Sequence, residues 1–132
     1  MITLKLTDAQ ARAVMDACDL YSRIAMGQWH DVRYNCHTKD QTGDIGATDY
    51  HLEMAAKSFL KLRATSGAFY GIRHPAIHVD AQRACDVYHV MRYAVAMHNN
   101  PTPTSAQKFG SVVYDAPAGY ANETLPICEV KP

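Results

Sequence analysis

Neither sign of charge is in excess in this 132-residue chain, which carries 13 basic and 13 acidic residues and is formally neutral. Sequence-independent nucleic-acid binding rests on cations that neutralise many phosphates, so no broad nucleic-acid binding is expected. Long apolar runs are also missing. None approaches the roughly 20 residues that span a bilayer. The opening Met1-Ile2-Thr3-Leu4-Lys5-Leu6 lacks the basic-then-apolar order of a secretion signal. The chain is therefore expected in the cytoplasm, away from membranes. Cysteine pairs are missing as well. Cys18, Cys36, Cys85 and Cys128 are scattered with no C-x-x-C among them, which argues for buried free thiols over a disulfide scaffold or a cysteine zinc site.

Catalytic and phosphate signatures are equally scarce. The sequence holds no H-E-x-x-H, G-x-S-x-G, Walker A or G-x-G-x-x-G pattern. It does hold His30, His37, His51, His74, His78, His89 and His98. His74 and His78 are four apart, as are Cys85 and His89, a spacing that puts both members of a pair on one face of a helix. Pro75 disfavours helix at His74, however, and neither pair completes a ligand set, so no metal and no cofactor are expected. Cys36 beside His37, and Cys85 near His89, could couple a thiol to a base. Both cysteines fall on apolar helical faces, which favours structural thiols. No catalytic residue is assigned, and the pattern leans away from an enzyme.

What is present is ordinary for one globular domain over 1–132, with 48% hydrophobic and 20% charged residues. Ile2, Leu4 and Leu6 alternate with polar residues, the period of a half-buried strand. Thr7 followed by Gln10 forms a capping box that starts a first helix. Its apolar face is Val14, Met15, Cys18, Tyr21 and Ala25, and Gly27 ends it or kinks it. A short second helix is predicted over about 28–36, then a polar loop over 39–47. Thr48 or Asp49 caps a third helix with Leu52, Ala55 or Ala56, Phe59 and Leu60 on its apolar face, stopped by Thr65-Ser66-Gly67. A loop over 68–78 leads to a last helix capped by Asp80 and ended by Asn99-Asn100-Pro101. Pro101 to Lys108 reads as a linker. Ser111 to Tyr114 and Ile127 to Val130 are β-prone. The expected architecture is α+β: a bundle of three to four helices over about 7–100, flanked by a small antiparallel sheet of the N-terminal and C-terminal strands.

Two stretches concentrate polar and aromatic residues. Tyr21, Ser22, Arg23 and Gln28 surround the Gly27 break, although Asp19 four residues before Arg23 also gives that arginine an ordinary helical ion pair. Tyr70, Arg73, His74 and His78 lie in the loop that feeds the last helix, where a helix N-terminus favours an anion. Arginine with an aromatic plane suits a nucleotide, the cation taking phosphate and the ring taking the base.

The string Leu20-Tyr21-Ser22-Arg23-Ile24-Ala25-Met26-Gly27-Gln28, the loop Gly71-Ile72-Arg73-His74-Pro75 and the alanine-rich helix that follows resemble a group of uncharacterised small accessory proteins of tailed phages and prophages. The resemblance covers roughly the first hundred residues and places Tyr21, Ser22, Arg23, Gln28, Ile72, Arg73, Pro75 and Arg92 at recurrent positions of the group. It implies a phage-encoded, non-enzymatic binding protein that counters host antiviral defence in the host cytoplasm by sequestering a small nucleotide-type immune signal. One alternative is an inhibitor that binds a host protein directly, through an exposed patch around Trp29 or Tyr114. Another is a small hydrolase or phosphodiesterase that uses His74 and His78. The neutral surface offers little repulsion between copies, so a homo-oligomer is expected.

Overall fold

The computed structural model describes residues 2–29, 32, 46–62 and 69–131. Helix α1 spans Asp8–Met26 and opens on the expected capping box: the Gln10 amide donates to the Thr7 hydroxyl at 3.3 Å, and the Thr7 amide donates to Gln10 Oε1 at 2.9 Å. Gly27 ends it at φ 92°, a left-handed conformation that only glycine adopts without strain. The Gln28 amide reaches back to the Arg23 carbonyl at 2.8 Å and the Gly27 amide to that of Ile24 at 3.0 Å, the two bonds of a Schellman cap.

Helix α2 spans Gly46–Phe59, and so begins two residues before the predicted cap at Thr48 or Asp49. It stops well short of Thr65, with Lys61 in the left-handed region at φ 54°. The Leu62 amide donates to the Lys57 carbonyl at 2.8 Å and the Lys61 amide to that of Ser58 at 3.2 Å, a Schellman cap made without glycine. The helix predicted over 28–36 and the stop signal Thr65-Ser66-Gly67 lie largely outside the described residues.

Helix α3 spans Val79–Asn99. Its N-cap is His78, not Asp80: the His78 ring accepts from the Asp80 amide at 3.2 Å, while Asp80 occupies the first turn. The linker after α3 holds a one-turn helix α4, Ser105–Lys108, opened by a second capping box between Thr104 and Gln107.

The expected α+β architecture is overturned: the described residues form helices and contain no strand or sheet. Ile2 and Leu4 belong to no secondary-structure element and are 95% and 70% exposed. The β-prone Val112–Tyr114 closes instead into a 3-10 turn that docks on α3. Residues 127–130 form no strand either. Alternation marks which side of a segment is apolar; a strand also needs a neighbour to pair its backbone, and these segments face helices or solvent.

The core lies where α1, α3 and the C-terminal segment meet, and includes Ile77, Ala81, Cys85, Val90 and Ala121. On α1 the Tyr21 ring is exposed, and Ser22 takes the buried place beside α3. Ser22 Oγ lies 2.9 Å from the Cys18 carbonyl oxygen and 3.0 Å from that of Ala81, so its single proton serves one acceptor at a time.

Candidate ligand-binding site

The described stretch that leads into α3 is held at two points. The Tyr70 amide donates to the Met26 carbonyl at 2.8 Å, which fixes it to the end of α1, and the Gln82 side chain donates to the Ile72 carbonyl at 3.0 Å. Tyr70 stacks on His74 with ring centres 4.2 Å apart. Next to this corner Arg23 donates to Asp19 at 2.6 Å and to Gln28 Oε1 at 3.2 Å. Arg23, Gln28, Tyr70 and His74 thus cluster where α1 ends, but Asp19 already balances the Arg23 charge.

Arg73 and Arg92 differ from Arg23. Arg73 donates to the Gly119 carbonyl at 3.0 Å and lies over the Tyr120 ring, 4.8 Å from its centre. Arg92 donates to the Val112 carbonyl at 2.7 Å and lies over the Tyr88 ring at 5.3 Å. His89 meets both Tyr88 and Tyr120 edge-on, with centres 5.4 and 5.5 Å apart. Arg73, Tyr120, His89, Tyr88 and Arg92 therefore form one continuous row, three rings between two guanidinium groups. Among the described residues neither arginine of this row has a carboxylate partner, and the Arg92 Nε–H is buried without an acceptor. Arg83 shows the opposite case: it is bound by Asp80 at 2.7 Å and by Glu123, which raises its own pKa and lowers that of Glu123.

The remaining expected site residues have structural places. Ser22 bridges two helices, His78 caps α3, and Tyr21 is exposed on α1. The rings of His74 and His78 each accept a backbone N–H at Nδ1, from Ala76 at 3.1 Å and from Asp80 at 3.2 Å. These contacts give both rings a structural place at Nδ1. Trp29 and Tyr114, whose exposure would favour a protein-binding patch, are both half-buried.

Burial pushes the Cys85 thiol up to about 11, and it raises Cys18 and Cys128 as well. A protonated thiol is a poor nucleophile. Cys36 lies outside the described residues. Burial first, and the Arg92 charge second, hold the His89 imidazole below its ordinary value, with Asp19 and Asp86 opposing them. An unfolded histidine titrates near 6.5, so below about pH 6.5 the unfolded chain binds a proton that the folded one resists. The His89 contribution to stability is thus complete above that pH and drains away as pH falls. Replacing His89 with glutamine is expected to flatten the acid side of a Tm-against-pH curve; an unchanged slope would contradict it.

Sequence reasoning missed Tyr88, His89 and Tyr120 as site residues. The Tyr88–Arg92 spacing of four was a readable signal. Tyr120 had none, because its partners are set by the fold. No family model matches the chain, and no curated protein or solved structure is significantly similar to it.

Proposed function

We propose that this protein is a non-enzymatic, phage-encoded binding protein that counters host defence by sequestering a small anionic, ring-bearing signal of nucleotide type. One observation carries the chemistry: two arginines without carboxylate partners among the described residues, each over a tyrosine, joined through His89 into one row. An uncompensated guanidinium beside an aromatic face is the pairing that phosphate and base together satisfy. Sequestration needs affinity and no turnover. Raised thiols at Cys18, Cys85 and Cys128, and the engaged Nδ1 atoms of His74 and His78, fit holding better than cleavage. The phage origin and the defence role rest on the resemblance of the Leu20–Gln28 and Gly71–Pro75 stretches.

The direct test is to denature purified protein and identify what it releases by mass spectrometry. A phosphate-bearing aromatic compound is expected. Cyclic and ADP-ribose-type nucleotides are then titrated in thermal-shift assays, where a compound that binds only the native state raises Tm. Recovery of the ligand in cleaved form after incubation would replace the sponge with an enzyme.

A further inference from the structure

We propose that His89 is the third contact of the row: when an anion seats there, the imidazole takes a proton from solvent and donates an imidazolium N–H to it. The inference rests on the reading of the row as an anion site and adds the group that makes its grip depend on pH. His89 stands at the middle of the row, with the Tyr88 and Tyr120 ring centres 5.4 and 5.5 Å away. Among the described residues neither of its ring nitrogens has a hydrogen-bond partner, and neither is sealed from solvent. His74 and His78, by contrast, engage Nδ1 with backbone amides. A histidine placed this way keeps both nitrogens available to a bound group.

The empty site keeps the ring neutral. Burial first, and the Arg92 charge second, disfavour its charged form against the pull of Asp19 and Asp86. The charged and titratable groups that face it are Asp19 from α1, Asp86, Tyr88 and Arg92 from α3, and Tyr120 from the C-terminal segment. Both carboxylates are already engaged elsewhere. Asp19 holds Arg23 at 2.6 Å, and Asp86 accepts the amides of Tyr120 and Ala121. A bound anion changes the balance twice over: it offsets the Arg92 charge, and it gives the imidazolium a direct partner. Anion binding and proton uptake are then linked. The grip is complete below the empty-site pKa and weakens as pH rises through the higher, loaded one, by at most about tenfold per pH unit.

Sulfate is the probe, because its charge is constant across the range in which histidine titrates. The imidazole signals of the full chain are followed by NMR through a pH titration, in sulfate and in chloride of equal ionic strength. The His89 signal is the one that His89→Gln lacks. Sulfate should raise the His89 pKa by about one unit and leave that of the exposed His98 where it was. Arg92→Gln should raise the His89 value in chloride and shrink the rise that sulfate causes, a pattern that a merely structural ring would not show. The wild-type comparison stands even if that variant fails to fold. A His89 that titrates identically in sulfate and chloride would overturn the proposal, even where denaturation releases a nucleotide-type compound. An equal rise at His98 would overturn it too, because sulfate would then act on every histidine. A rise confined to His89 upholds it even where nothing is released, and the nucleotide reading then fails alone.

Discussion

Replacing Asp86 with alanine is expected to lower the melting temperature by roughly 10–15 °C, for a loss of about 3 kcal/mol. Asp86 is 4% exposed, and its two carboxylate oxygens accept the amides of Tyr120 at 2.8 Å and Ala121 at 3.1 Å. The carboxylate is the device by which α3 holds a segment that follows it by some 35 residues. Alanine would leave two backbone donors without an acceptor, and each such buried donor costs about 1–3 kcal/mol. Asparagine keeps one acceptor oxygen but turns an NH₂ toward the second amide, so Asp86→Asn should fall between alanine and wild type. Thermal melts read the loss, and limited proteolysis reads where it acts: cleavage in the region 110–125 should accelerate first. A wild-type Tm for Asp86→Ala would mean that this segment is held by other contacts. Because Tyr120 carries the Arg73 contact, the same variant should also weaken ligand binding.

The largest effect on binding is expected from the two arginines of the row. A hydrogen bond to a charged group is worth about 1.5–3 kcal/mol, so Arg73→Ala and Arg92→Ala should each weaken binding of the released ligand by about 10- to 100-fold. The two stand at opposite ends of the row, where losses add, so the double variant should lose on the order of a thousandfold. Lysine at either position keeps the charge but loses the planar fork over the ring and should recover only part of the affinity. Arg83→Ala is the control: its charge is already bound by Asp80 and Glu123, and ligand affinity should hardly move. Arg92 also donates to the Val112 carbonyl, so the Tm of each ligand-free variant separates lost folding from lost binding. Equal affinity across Arg73→Ala, Arg92→Ala and wild type would remove the row as the ligand site.

The parts of the fold that were legible in the sequence are those decided within five residues. The Thr7–Gln10 box and the Asp19–Arg23 pair depend on side chains one turn apart and form as expected, and Gly27, read as an end or a kink, ends the helix. The Thr104–Gln107 box carried the same pattern but was masked by the prolines before it. The Asp80 cap failed because His78, two residues earlier, supplies an acceptor too, and the chain enters the helix there. The strands failed for a different reason. Ile2 to Leu6 and Ser111 to Tyr114 have the right alternation, but pairing is a property of two segments and the pattern describes one. The candidate site divides likewise. Arg73 and Arg92 were visible as residues, through the loop and the resemblance. The row that joins them depends on Tyr120 reaching His89 and Arg73, contacts that span more than 30 positions along the chain.

Ser22 sets the register between α1 and α3. The apolar side chains on these helices are largely interchangeable grease: Met15, Leu20, Ile24, Val90 and Met91 would adhere about as well after α1 slid by one turn, an advance of about 5.4 Å. A hydroxyl 3.0 Å from the Ala81 carbonyl tolerates no such slip. Adhesion is therefore supplied by many side chains, while alignment along the axis is marked by one. That mark keeps the corner bearing Arg23 and Gln28 level with the start of α3, and a helix pair without it would cohere at several settings.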